Sequence, residues 1–231
     1  LIENGIRLNL KDLFGASIET YLAQNNAAIT ESLSSAGLKH SESPLGNLRD
    51  FFEKITSQEL FIFIIDRLKA QLKEKGVRYD AIDATFAIGH EYDPVRLKAR
   101  VYALSEFLAS EDGENLLTAY RRAANILRIE EKKDGCQYDG EVDPNLFTQN
   151  QERTLNIGLS EANIAITEAI DEEDFANAMR ALAELRGPID AFFEKVTVNA
   201  EDDLQRGNRL KLLNGIRVAL EKVADFSKIQ G

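Results

Sequence analysis

At 231 residues the chain is long enough for one large or two small domains with a buried core. It is 44% hydrophobic and 29% charged, and its strongest apolar run, "LFIFII" at 60–65, is far short of the ~18 residues of a membrane-spanning helix. The net charge of −11 argues against a domain that grips polyanions by bulk electrostatics, and the lone Cys136 excludes an intrachain disulfide or a cysteine zinc cluster.

The chain opens without Met, inside an amphipathic pattern and with no signal peptide, as expected of a piece of a longer protein. Helical spacing then recurs almost throughout. Residues 9–24 and 47–56 read as modest helices separated by a Ser/Gly/Pro-rich loop at 34–46. "SQELFIFIIDRLKAQLKEKG" follows, with Ser57 as N-cap and Gly76 as stop. After the short helix "YDAIDATFAIG", the next begins at Asp93, its cap, with Pro94 in the first helical position. An Asp112-Gly113 turn precedes a helix over 114–132, and the acidic, turn-rich stretch 131–148 reads as an irregular connection. Helices over 149–170 and 172–186, a short one from the Gly-Pro of "GPIDAFFEKVTV", and a terminal one over 201–224 complete an all-α bundle.

Acids crowd residues 130–174, while the neighbouring helices are nearly balanced, so a local basic surface is compatible with the overall charge. His40 and His90 are the only imidazoles, and neither has a partner at metal-ligand spacing. No phosphate-binding glycine loop and no activated nucleophile is recognisable, so neither a catalytic residue nor a metal site is expected in this chain.

The arginines stand out by position. In the final helix Leu212, Leu213, Ile216, Ala219, Leu220 and Val223 form an apolar stripe. Arg206 and Arg217 lie on its rim and are expected to face outward as ligand candidates. Arg209 falls inside the stripe and is expected to form a structural ion pair, with Asp190 as the candidate partner, because a buried guanidinium needs an anion. In the helix at 114–132, Arg121, Asn125 and Arg128 recur at i, i+4, i+7 with Arg122 alongside. Arginine with asparagine suits phosphates and base edges; the competing reading is a solvated face paired with nearby acids.

Several blocks carry a resemblance: "FIIDRLKAQLKEKGVRYDAIDA", "DPVRLKARVYALSEF", "LLTAYRRAANILR", "VDPNLF", "ALAELRGPIDAFFEKVTV" and "NRLKLLNGIRVALEKVADFSKIQ". In that order they resemble the C-terminal region of the β subunit of bacterial glycyl-tRNA synthetase, over about 60–231. The resemblance implies a DALR-type anticodon-binding helical domain over 57–231, preceded by a helical tail of the upstream region over 1–56. It implies a cytoplasmic module that recognises glycine tRNA and assembles with the α subunit as α2β2, without contacting membrane or DNA. ATP and magnesium would serve the whole ligase in the α subunit, with no cofactor and no catalysis in this piece. Arg121, Arg122, Asn125, Arg128, Arg206 and Arg217 are the candidate tRNA contacts. The chain departs from the family pattern at Thr197 and Asn199 (usually methionines), at Gln205 (usually leucine), and at Tyr120-Arg121 (more often Asn-Lys). The rival expectation is a packing module that never touches RNA; a positive surface joining 121–128 to 206–217 would favour RNA.

Overall fold

The computed structural model describes residues 16, 20, 61–89 and 91–230. Ala16 and Thr20 are helical. The rest of the expected helix 9–24, the helix 47–56, the loop 34–46, the Ser57 cap, the boundary at 56/57, His40 and His90 lie outside the described residues.

The chain divides into two units, one of residues 1–76 and 91–97, the other of 77–90 and 98–231. In the first, residues 61–74 are helical and the helix ends where expected, with the Gly76 N–H donating to the Lys73 carbonyl at 3.0 Å. Arg96 pairs with Glu91 at 2.7 Å, and the Phe61 and Tyr92 rings meet at 5.1 Å. Helix α2 (Pro94–Leu108) begins here: the Asp93 carboxylate accepts from the Val95 amide at 2.8 Å, the cap that the Asp-Pro pair encodes.

The second unit holds α1 (Tyr79–Ala87), the remainder of α2, α3 (Glu111–Asp134), α4 (Asn150–Asp171), α5 (Phe175–Ala183), α6 (Arg186–Lys195) and α7 (Asp203–Glu221). Single 3-10 turns lie at Pro144–Leu146 and Phe226–Lys228. Among the described residues every regular element is helical, so the fold is the expected all-α bundle. The long helices α3, α4 and α7 form the frame; α5 and α6 pack against both α3 and α4. Leu116, Ala123 and Leu127 of α3, Leu155 and Ile166 of α4, and Leu212, Leu213 and Ile216 of α7 meet in one core. Their spacing of three, four and seven residues builds the apolar stripe each helix needs.

The expected Asp112-Gly113 turn is helical instead. Asp112 and Gly113 lie inside the first turn of α3, which starts at Glu111 with Ser110 as cap, its hydroxyl accepting from the Gly113 amide at 3.1 Å. The glycine is there for clearance: a Cβ would stand 2.0 Å from the Phe107 carbonyl oxygen at the end of α2. At the other end Gly135, at φ 68°, closes α3 in the left-handed conformation that glycine adopts without strain.

The terminal segment folds back as a strap. The Asp225 amide donates to the Ala84 carbonyl at 2.9 Å, the Gln230 amide to Asp80 at 3.0 Å, and the Tyr120 and Phe226 rings lie 5.6 Å apart. The connection before α4 is clamped by Asn208, whose side chain both accepts from the Asp143 amide (2.8 Å) and donates to the Asp143 carbonyl (2.9 Å).

Candidate nucleic-acid interface

Helix α3 presents two faces of opposite chemistry. No acid occurs between Glu114 and Glu130 in its sequence, and the apolar residues of that stretch turn inward, Ile129 excepted. The outward arc consequently carries Thr118, Arg122, Asn125, Arg128, Ile129 and Lys132, all exposed. Glu111, Asp112 and Glu114 open the helix and Lys132 and Lys133 end it, the charge order that the helix dipole favours.

The six expected contact residues separate into different roles. Asn125 and Arg128 project from the arc with no side-chain partner among the described residues. Arg122 is exposed too, but its guanidinium carbon rests 4.2 Å from the centre of the Phe193 ring of α6. Arg121 is turned to the strap, donating to the Ile229 carbonyl at 3.0 Å, so this arginine anchors the terminal segment.

Arg206 and Arg217 do not face outward as free donors. Arg206 is taken up by the carboxylates of Glu130 and Asp134 and reaches the Tyr138 hydroxyl at 3.3 Å; its side chain is 13% exposed. Arg217 meets Glu131 at 3.4 Å. The wheel of α7 alone does not show the acids of α3 that take up both side chains. Arg206 and Arg217 therefore do not extend the exposed cations of α3 onto α7.

Arg209 is buried, but its carboxylate partner is Glu152 of α4 at 2.7 Å, not Asp190. The same guanidinium donates to the Thr197 carbonyl (2.8 Å) and the Thr148 hydroxyl (2.9 Å). Asp190 is exposed and lies 3.8 Å from Arg186, one turn back on its own helix. Glu152 also accepts from the Thr148 and Gln149 amides, at 2.8 Å each, so one carboxylate caps α4 and neutralises the arginine. A Gln followed three residues later by Glu ahead of an apolar run is a capping-box spacing, the signal that could have exposed this role. Lys211 and Lys222 continue the pattern, donating to the Glu141 carbonyl at 2.9 Å and the Thr167 hydroxyl at 2.9 Å. Five cations of α7 and its C-cap thus hold the bundle together.

Titration behaviour follows from these partners. Burial would raise the Glu152 carboxyl, but Arg209 and the two amides outweigh it and hold the group below its ordinary value. The Arg206 hydrogen bond lowers Glu130 against its burial, with Asn199 helping at 3.2 Å. Tyr138 and then Arg206 lower Asp134, while burial and the bond to Asp134 push the Tyr138 phenol up to about 12.

Elsewhere in this unit a cleft of about 600 Å3 lies between α2 and α5, with Ala103, Phe107 and Met179 as floor and Glu106, Asp112 and Asp174 on its margin. No group of three His, Cys, Asp or Glu among the described residues could hold a metal ion. None of the described helices is long and apolar enough to cross a membrane.

Residues 116–230, from the second turn of α3 to the end of the strap, match the model of the DALR anticodon binding domain, and that is the class of helical module this bundle represents. Along the whole chain it is 49% identical to the glycine–tRNA ligase beta subunit of Rhodospirillum centenum, covering 29% of that protein, and 39% identical to that of Dinoroseobacter shibae, covering 32%. Over 75% of the chain it is 47% identical to the beta subunit of Cereibacter sphaeroides, of which it covers 25%. The chain belongs to the family of glycine–tRNA ligase beta subunits. It spans about a third or less of the length of these relatives.

Proposed function

We propose that the outward face of α3 binds the anticodon stem-loop of glycine tRNA, and that the chain does this as part of the beta subunit of a glycine–tRNA ligase. The observation that carries the reading is the acid-free arc of α3, where Arg122, Asn125, Arg128 and Lys132 are exposed inside a strongly acidic chain. The DALR match over the same residues supports it. In this reading Arg128 and Lys132 meet backbone phosphates and Asn125 meets a base edge, while Arg206, Arg209 and Arg217 keep the bundle in shape. Bond-making belongs to the alpha subunit of an α2β2 assembly in the cytoplasm, together with ATP and magnesium.

The test is a salt titration of glycine-tRNA binding by the complete beta subunit carrying Arg128→Ala or Asn125→Ala. A lost phosphate contact weakens binding to every tRNA and flattens the plot of log affinity against log salt by about 0.7–0.9. Loss of Asn125 instead narrows the preference over an anticodon-swapped tRNA and leaves that slope unchanged. Wild-type binding by both variants at every salt concentration would remove this face from RNA recognition. A packing role has its own observation: Ile157 and Ile164, seven residues apart on α4, are 50% and 59% exposed. Loss of subunit assembly by Ile164→Glu, with the α3 variants binding tRNA normally, would establish that reading instead.

A further inference from the structure

We infer that the edge of α3 facing α6 is a stacking site for one unpaired nucleobase, built from Arg122 on Phe193 with Asn125 and Ile129 beside it. The inference rests on the reading of α3 as an RNA-binding face and specifies what that face takes: a single-stranded base, not the outside of a duplex. Four observations converge.

The Arg122 guanidinium lies 4.2 Å from the centre of the Phe193 ring, a distance at which a planar cation rests against an aromatic ring. Phe193 is itself braced, edge-on at 5.7 Å, by Phe192, which is fully buried. The support under the guanidinium is therefore rigid, while Arg122 remains exposed. Arg122, Asn125 and Ile129 are spaced i, i+3, i+7, so they form one row along the helix, roughly 10 Å long at 1.5 Å per residue. Ile129 is 53% exposed in the middle of a cationic surface.

An exposed isoleucine contributes nothing to holding a phosphate, and an asparagine adds no charge. Together with a braced planar cation they match the surface of a nucleobase, which has a flat π-face, an apolar flank and a polar edge. Arg128 and Lys132 border the row on the side away from α6 and place positive charge where the backbone of such a nucleotide would run. A base paired within an A-form helix has both faces stacked already and cannot use such a surface; a splayed loop base can.

The experiment uses the complete beta subunit and the glycine-tRNA anticodon stem-loop with 2-aminopurine substituted, one position at a time, for each unpaired loop base. The same strand annealed to its complement is the duplex probe. The expected result is a fluorescence change at one loop position on binding, with the duplex bound at least roughly tenfold more weakly, the scale of one stacked base. Arg122→Lys keeps the charge but removes the plane. It should weaken binding roughly tenfold and abolish the fluorescence change, with the salt slope unaltered. Ile129→Ser, at an exposed position that leaves folding intact, should weaken binding in the same direction. Wild-type affinity and fluorescence for Arg122→Lys, with Arg128→Ala still weakening the complex, would overturn the stacking site and leave the RNA-binding face standing as a purely electrostatic one. Unchanged binding by Arg122→Lys, Ile129→Ser and Arg128→Ala together would overturn both.

Discussion

Arginines 122, 128, 206 and 209 share one side chain and have four different fates, set by what stands across from each. Arg209 faces Glu152 in the interior, where removing one partner strands the other charge without water. Arg209→Ala should therefore destabilise the chain by roughly 3–5 kcal/mol. Asp190→Ala, which removes only an exposed charge beside Arg186, should change stability by less than about 1 kcal/mol. Urea denaturation followed by circular dichroism measures both, and equal effects from the two variants would contradict the assignment of Glu152 as the partner. Thr197 takes part through its backbone carbonyl, which accepts from Arg209, and Asn199 through its side-chain amide, which donates to Glu130.

At the scale of the element, α3 is the helix on which everything converges. Its buried side meets α5, α6 and α7, its last turn supplies Glu130, Glu131 and Asp134 to the arginines of α7, and its outer arc is left to the cations. Close approach to α2 depends on Gly113. Gly113→Ala must push the Phe107 carbonyl away from a position 2.0 Å from the new methyl group, so the α2–α3 corner has to open. An overpacked backbone contact of this kind costs roughly 1–3 kcal/mol, and the melting temperature should fall accordingly. A variant melting with the wild type would mean that the corner relaxes freely. Because the corner lies a full helix turn or more from Arg122, tRNA binding measured below the melting transition should be nearly unchanged.

At the scale of the whole molecule, the acidic balance is reconciled with a cationic face by pairing. The chain has 39 acids against 28 lysines and arginines, and several acids are held ionised by the cations of α7 and of Arg78. Glu152, Glu130, Asp134 and Asp80 all titrate below their ordinary values in the folded state. For depressed carboxyl groups the stabilisation is complete above the unfolded value, near 4, and is lost as the pH falls through the folded ones. Stability should thus be flat on this account from neutral pH down to about pH 5 and drop steeply below about pH 4. A pH series of urea midpoints checks this, and Glu152→Gln should reduce the steepness of the acid limb.

The helical class, the apolar stripe of each long helix, the Asp93–Pro94 start and the acid-free stretch of α3 were all legible in the sequence. These properties are local: they depend on spacing within one or two turns, and a helix converts spacing into faces by fixed geometry. Which arginines remain available to a ligand was not legible. Arg209 meets Glu152 across 57 positions, Arg206 meets Glu130 across 76, and Arg217 meets Glu131 across 86. A helical wheel shows where a charge sits on its own helix and says nothing about the neighbour. With so many acids in the chain, several partners were open to each cation on composition alone, Asp190 among them. Only the packing of α3 and α4 against α7 selected between them, because a charge pair in a protein interior is decided by a few ångströms of separation and by the exclusion of water.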